Sequence, residues 1–145
     1  MAGKTLVVKV TVGQESAERC SQGFTVAATA LASGVEVILW LTGEATQLGL
    51  PGKAEEFILE HSAALSELRD QILELGKVKV CTQCAKRRGI TQEQLLPGIE
   101  ISGASSFVAD ILGPDVQAGL KSEQRTPFIP RKIPVARFRG VERRE

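Results

Sequence analysis

Apolar and polar positions change period several times along the chain, and each change marks an element. TLVVKVTV (5–12) is rich in β-branched residues and stops at Gly13, which predicts a first strand and its turn. From Ser16 to Ala32 the chain is Ala-rich. Cys20, Phe24, Ala27, Ala28 and Leu31 recur there at helical spacing, and Ser33-Gly34 ends the pattern. VEVILWLT (35–42) is apolar on both faces apart from Glu36, the mark of a central strand covered by helices on either side. Residues 43–61 are the least regular, broken by Gly43, Gly49 and Pro51-Gly52, and predict a loop with a short helix at Ala45–Leu48. In 62–76, Leu65, Leu68, Ile72 and Leu75 form one stripe. Glu67, Arg69, Asp70 and Glu74 fall off it as an expected solvated face, with Gly76 as the cap. VKVC (78–81) predicts a third strand running into a helix over about 82–88. A short helix at Thr91–Leu95, a strand IEIS (99–102), a helix at Ala104–Leu112 and a short edge strand VQAGL (116–120) complete the series.

Strands alternating with helices argue for an α/β fold: a three-layer α/β/α sandwich around a mostly parallel sheet of four to five strands, joined by right-handed crossovers. In open sheets of this kind ligands and chemistry gather beyond the carboxyl ends of the strands. That rim is expected to hold Cys81 with Gln14, Glu15, Thr42, Glu44, Ser102 and Ser105, beside the strand-closing Gly13, Gly43 and Gly103.

A chain of 145 residues with 43% hydrophobic and 24% charged content has the composition of one globular domain able to bury a core. No apolar run is long enough to cross a bilayer, and the N-terminus lacks the plan of a secretion signal, so a cytoplasmic protein with no membrane partner is expected. Three cysteines are an odd number and argue against a disulfide-stapled secreted scaffold. The net charge of +1 divides unevenly: residues 121–145 carry eight Lys/Arg against three Glu, and the first 120 residues carry ten against fourteen acidic. The expected organisation is an α/β domain over 1–120 and a basic, proline-containing extension over 121–145. The extension also carries Phe128, Ile129, Ile133, Val135 and Phe138. It reads as an arm laid over its own domain or a sister subunit, or as a basic arm for RNA or an acidic partner.

VKVCTQCAKRRG (78–89) brings the chemistry into focus. Two cysteines three apart can exchange a disulfide, hold a metal or carry sulfur, and can also be small residues filling a gap. Cys81 closes a strand and Cys84 falls in the first turn of a helix, where free N–H groups and neighbouring cations lower a thiol pKa; Lys79, Lys86, Arg87 and Arg88 are close in sequence. Cys81 is thus a candidate nucleophile, with Cys84 placed to resolve a mixed disulfide or accept a persulfide. Cys20 lies on the apolar helical stripe and reads as core filling. His61, the only histidine, precedes a helix and reads as a surface or capping residue. A zinc site would need Cys81, Cys84, Cys20 and His61 together, which burial of Cys20 opposes. GQES (13–16) has neither a dinucleotide fingerprint nor a phosphate-loop GK[ST], and no Ser-His-Asp spacing is readable.

Val78, Val80 and Cys81, followed after five residues by Arg87, Arg88 and Gly89, resemble the active-cysteine segment of the DsrE-like family, which includes sulfur-relay subunits of tRNA thiolation and of dissimilatory sulfur oxidation. The resemblance extends from residue 4 to about 120, through LTGEA (41–45) and PGIEISG (97–103). It implies a small α/β/α domain that builds trimers, hexamers or mixed assemblies. It also implies that Cys81 is the sulfur-carrying residue, served by donor and acceptor proteins and needing no cofactor. Cys84 and the tail lie outside the family pattern. Three functions follow in order: a sulfurtransferase-like sulfur carrier at Cys81; a thiol-disulfide oxidoreductase or peroxide-reactive protein using Cys81 and Cys84; and a non-catalytic oligomer that binds a ligand or partner at the rim.

Overall fold

β-Branched and apolar residues build four strands: β1 (Thr5–Val10), β2 (Glu36–Leu41), β3 (Lys77–Cys81) and β4 (Ile99–Ser102). They pair in the order β1-β2-β3-β4, all parallel. The structure is a computed structural model that describes residues 3–113. The strand expected at 116–120 and the extension over 121–145 lie outside the described residues.

The helices are α1 (Ala17–Ala32), α2 (Leu65–Leu75), α3 (Thr82–Arg87) and α4 (Ala104–Leu112). The pleat sorts the sheet into two unlike faces. Val8, Val10, Val37, Leu39, Leu41, Val78, Val80 and Ile99 share the face on which α1 packs, and all but the half-buried Val8 are deeply buried there. Cys20, Phe24, Ala27 and Ala28 fill that core from α1, so the helical stripe read from the sequence is the buried one.

The opposite face carries Lys9, Trp40, Lys79 and Cys81, in a register that sets Lys9 beside Trp40 and Trp40 beside Lys79. Helix α4 covers it. Phe107 meets the Trp40 ring edge-on at 5.3 Å between centroids, and Asp110 accepts from Trp40 Nε1 at 2.9 Å and from Lys79 Nζ at 2.8 Å. The result is helix, sheet and helix, the three-layer α/β/α arrangement expected, with four strands among the described residues.

Four local readings needed correction. The segment expected to hold a short helix at Ala45–Leu48 is a longer 3-10 stretch, Gly43–Gly49, and the helix expected at Thr91–Leu95 is one 3-10 turn, Gln92–Gln94, closed by a reciprocal Thr91–Gln94 capping box. Arg69, assigned to the solvated face of α2, is buried instead. Its guanidinium is held by Glu55 at 2.6 Å and Asp70 at 2.7 Å, a pairing with residue 55 that helical spacing cannot reveal. Gly76 does end α2, but not in a left-handed cap: its backbone is extended, and a Cβ there would stand 3.0 Å from the Val37 carbonyl. A side chain at this helix end would be crowded because β2 passes so close.

Candidate functional site

Cys81 is the last residue of interior strand β3 and the N-cap of α3, so its side chain leaves the sheet at the carboxyl rim, half-buried and opposite Ser102 in the register. Burial by itself would raise its pKa. The backbone N–H and the thiol of Cys84, the backbone N–H of Gln83 and the charge of Lys9 together outweigh that cost, and the Cys81 thiol is lowered below its ordinary value. The N–H groups fall short of formal cap hydrogen bonds and act as dipoles aimed at the sulfur. Helix α3 has only six residues, so its first-turn N–H groups, not a long macrodipole, carry the effect.

The cation that acts on Cys81 is not one of those adjacent in sequence. Lys79 is committed to Asp110 and Ser106, and Arg88 pairs with Glu44 at 2.5 Å while donating to the Cys84 carbonyl at 3.1 Å. Lys9, from β1, stands 4.8 Å from the Phe107 ring centroid on the same sheet face as Cys81. No sequence window shows it; the strand order does.

Cys84 lies one helical turn beyond Cys81 and is also half-buried. Its sulfur accepts a hydrogen bond from the Gly43 backbone N–H at 3.3 Å. That contact needs Gly43 in a left-handed conformation (φ +53°), where a side chain would run into the Thr11 carbonyl oxygen. The turn after β2 thus reaches across the rim and fixes the second thiol. Glu44, on the same turn, anchors Arg88 and so holds α3 against it.

Other rim residues serve the framework. Gln14 exchanges two hydrogen bonds with the backbone of Ile58, at 2.8 and 3.0 Å, and Glu15 accepts from the Gly13 N–H. Thr42 and Ser102 are buried, and Ser105 is exposed. Cys20 is fully buried, its pKa pushed up to about 12 by desolvation and then by the Glu15 charge; it is core, as read. His61 is exposed, in a left-handed turn conformation (φ +56°). Among the described residues, no helix is long and apolar enough to cross a membrane.

A parallel α/β/α domain with a half-buried cysteine of lowered pKa at the carboxyl end of an interior strand defines the class. The sequence profile of the DsrE/DsrF-like family matches residues 4–112, and the chain belongs to that family. An uncharacterized protein of Methanocaldococcus jannaschii is 32% identical over 110 residues, covering 74% of this chain and 39% of its own length. Another, of Methanopyrus kandleri, is 32% identical over 92 residues, 63% of this chain and 73% of its own. The chain thus spans well under half of the first relative. The fold is also that of the YchN protein of E. coli, with a TM-score of 0.61 at 20% identity over 79% of this chain and 96% of that one.

Proposed function

We propose that this protein is a sulfur carrier in which Cys81 accepts sulfane sulfur as a persulfide and passes it on. The observation that carries the reading is the Cys81 thiol, lowered in pKa and half-exposed at the rim. Membership of the DsrE/DsrF-like family points the same way, toward a sulfur-relay type of role. In the loading step the Cys81 thiolate attacks the outer sulfur of a donor persulfide. A bond forms from Sγ to that sulfur, the donor S–S bond breaks, and the donor leaves as a thiolate. Delivery repeats the exchange with an acceptor thiolate, and Cys81 is the leaving group. No cofactor enters, because each step only moves a sulfur atom between thiolates.

The carrier works as a homo-oligomer, a trimer or hexamer. Val108, Ile111 and Leu112 on α4 are each 51–54% exposed, an apolar stripe beside the face that holds Cys81. A second reading, thiol-disulfide exchange through Cys81 and Cys84, is favoured by the two cysteines standing one turn apart at the start of α3. Persulfide loading followed by mass spectrometry separates them. In a carrier, Cys81→Ser abolishes loading and Cys84→Ser still acquires the sulfur. In a redox pair, either substitution stops turnover, because a disulfide needs both sulfurs.

A further inference from the structure

Cys84 has no part in loading or delivery, yet its sulfur is held in place by a backbone hydrogen bond from a neighbouring loop. Cys81 is the N-cap of α3 and Cys84 its third residue, so both thiols stand at one end of the same helical turn, and a disulfide between them needs Cβ atoms about 3.8 Å apart. In a persulfide the Cys81 Sγ is the inner sulfur, so a bond between the two cysteine sulfurs is an attack on that atom.

We propose that Cys84 discharges an undelivered persulfide, attacking the inner sulfur of Cys81 and releasing sulfide. The inference rests on the carrier reading above. In the step, Cys84 Sγ bonds to Cys81 Sγ and the bond from Cys81 to the carried sulfur breaks. The outgoing sulfur takes the bonding pair and the Cys84 proton and leaves as HS⁻. The carried sulfur is thereby reduced to sulfide and the two cysteines are oxidised to one disulfide, so no outside oxidant or reductant enters.

Passing the sulfur to Cys84 would instead require attack on the outer atom, and the Gly43 N–H at 3.3 Å holds the Cys84 sulfur in place one turn from Cys81. Holding the two reactants one turn apart also makes the step unimolecular. Its rate competes with acceptor docking, so sulfur leaves as sulfide when no acceptor comes. The reaction class that must follow is reduction of the disulfide by a dithiol.

The test uses the full chain, loaded with a low-molecular-weight persulfide, desalted and left without thiol. Sulfide is read with a fluorogenic probe, and cysteine states are read on the tryptic peptide covering 80–86. The expected result is first-order sulfide release, independent of protein concentration, with a Cys81–Cys84 disulfide accumulating in step. Cys84→Ser is expected to hold its persulfide longer by roughly tenfold or more. If the wild-type chain loads at Cys81 but keeps its persulfide as long as Cys84→Ser and forms no such disulfide, the discharge is wrong and the carrier stands. If Cys81 does not load at all, both readings fall.

Discussion

Removing the Asp110 carboxylate tests how the sheet face bearing Cys81 is held together. Asp110 accepts from Lys79 at 2.8 and 3.1 Å and from Trp40 Nε1 at 2.9 Å, and the side chains of Lys79 and Asp110 are only 13% and 12% exposed. Asp110→Ala leaves a buried indole N–H without an acceptor, a loss of about 1–3 kcal/mol. It also strands a buried ammonium, for which removal of the partner costs about 3–5 kcal/mol when the charge cannot escape. Lys79 can partly escape, since Ser106 remains at 3.3 Å and its long stem lets the head move toward water. The expected total is therefore about 2–4 kcal/mol, a fall of roughly 1–2 M in the urea midpoint for a slope near 2 kcal/mol per molar. Asp110→Asn keeps an oxygen for Trp40 and loses only the charge, so about half of that effect is expected. Trp40 is the only tryptophan, which makes its emission a direct probe: it shifts to the red in the alanine variant and much less in the asparagine one. If both variants melt within about 0.5 kcal/mol of the parent with unchanged emission, α4 is not held by this carboxylate.

Gly43→Ala forces a side chain into a left-handed backbone and against the Thr11 carbonyl, and is expected to cost about 2–4 kcal/mol in chemical denaturation; a loss below about 0.5 would show that the turn can relax. Cys20 stays protonated in the folded chain up to about 12 while the unfolded thiol ionises near 9.0, so its contribution is complete below pH 9 and is lost as pH rises toward 12. Stability of the parent should therefore fall more steeply above pH 9 than that of Cys20→Ala, and parallel curves would refute the assignment. Cys81 has the opposite shift, so iodoacetamide should label it with a midpoint below the ordinary 9.0; labelling only at higher pH or after unfolding would remove the nucleophile. Light scattering at micromolar concentration should give a multiple of 15.6 kDa, and a monomer would refute the assembly.

Strand and helix order was legible because each element has a clean period. The N-terminal half of α1 and the run IEIS needed nothing beyond local spacing, and Cys81 was placed at the rim by the change from β-branched to helical residues. What stayed hidden depends on contacts distant in sequence. Lys9 reaches Cys81 through the strand order, and Gly43 reaches Cys84 across 41 positions. The burial of Arg69 depends on Glu55 in an irregular loop, where periodicity says nothing. The cations close to Cys81 in sequence pointed to the correct electrostatic sign from the wrong residues: Arg88 and Lys79 are spent on carboxylates, and a strand far upstream supplies the charge.

The central claim is that Cys81 carries the sulfur, and the most direct measurement maps sulfane sulfur onto each cysteine of the wild-type chain after brief exposure to a persulfide donor. Alkylating the protein at once and sequencing the tryptic peptides by mass spectrometry assigns the added sulfur atom to Cys20, Cys81 or Cys84. The account predicts that it sits on Cys81 first, with Cys84 appearing later only as the partner of a disulfide and Cys20 unmodified. Sulfur found first on Cys84, spread evenly over all three thiols, or absent from the folded protein would contradict it.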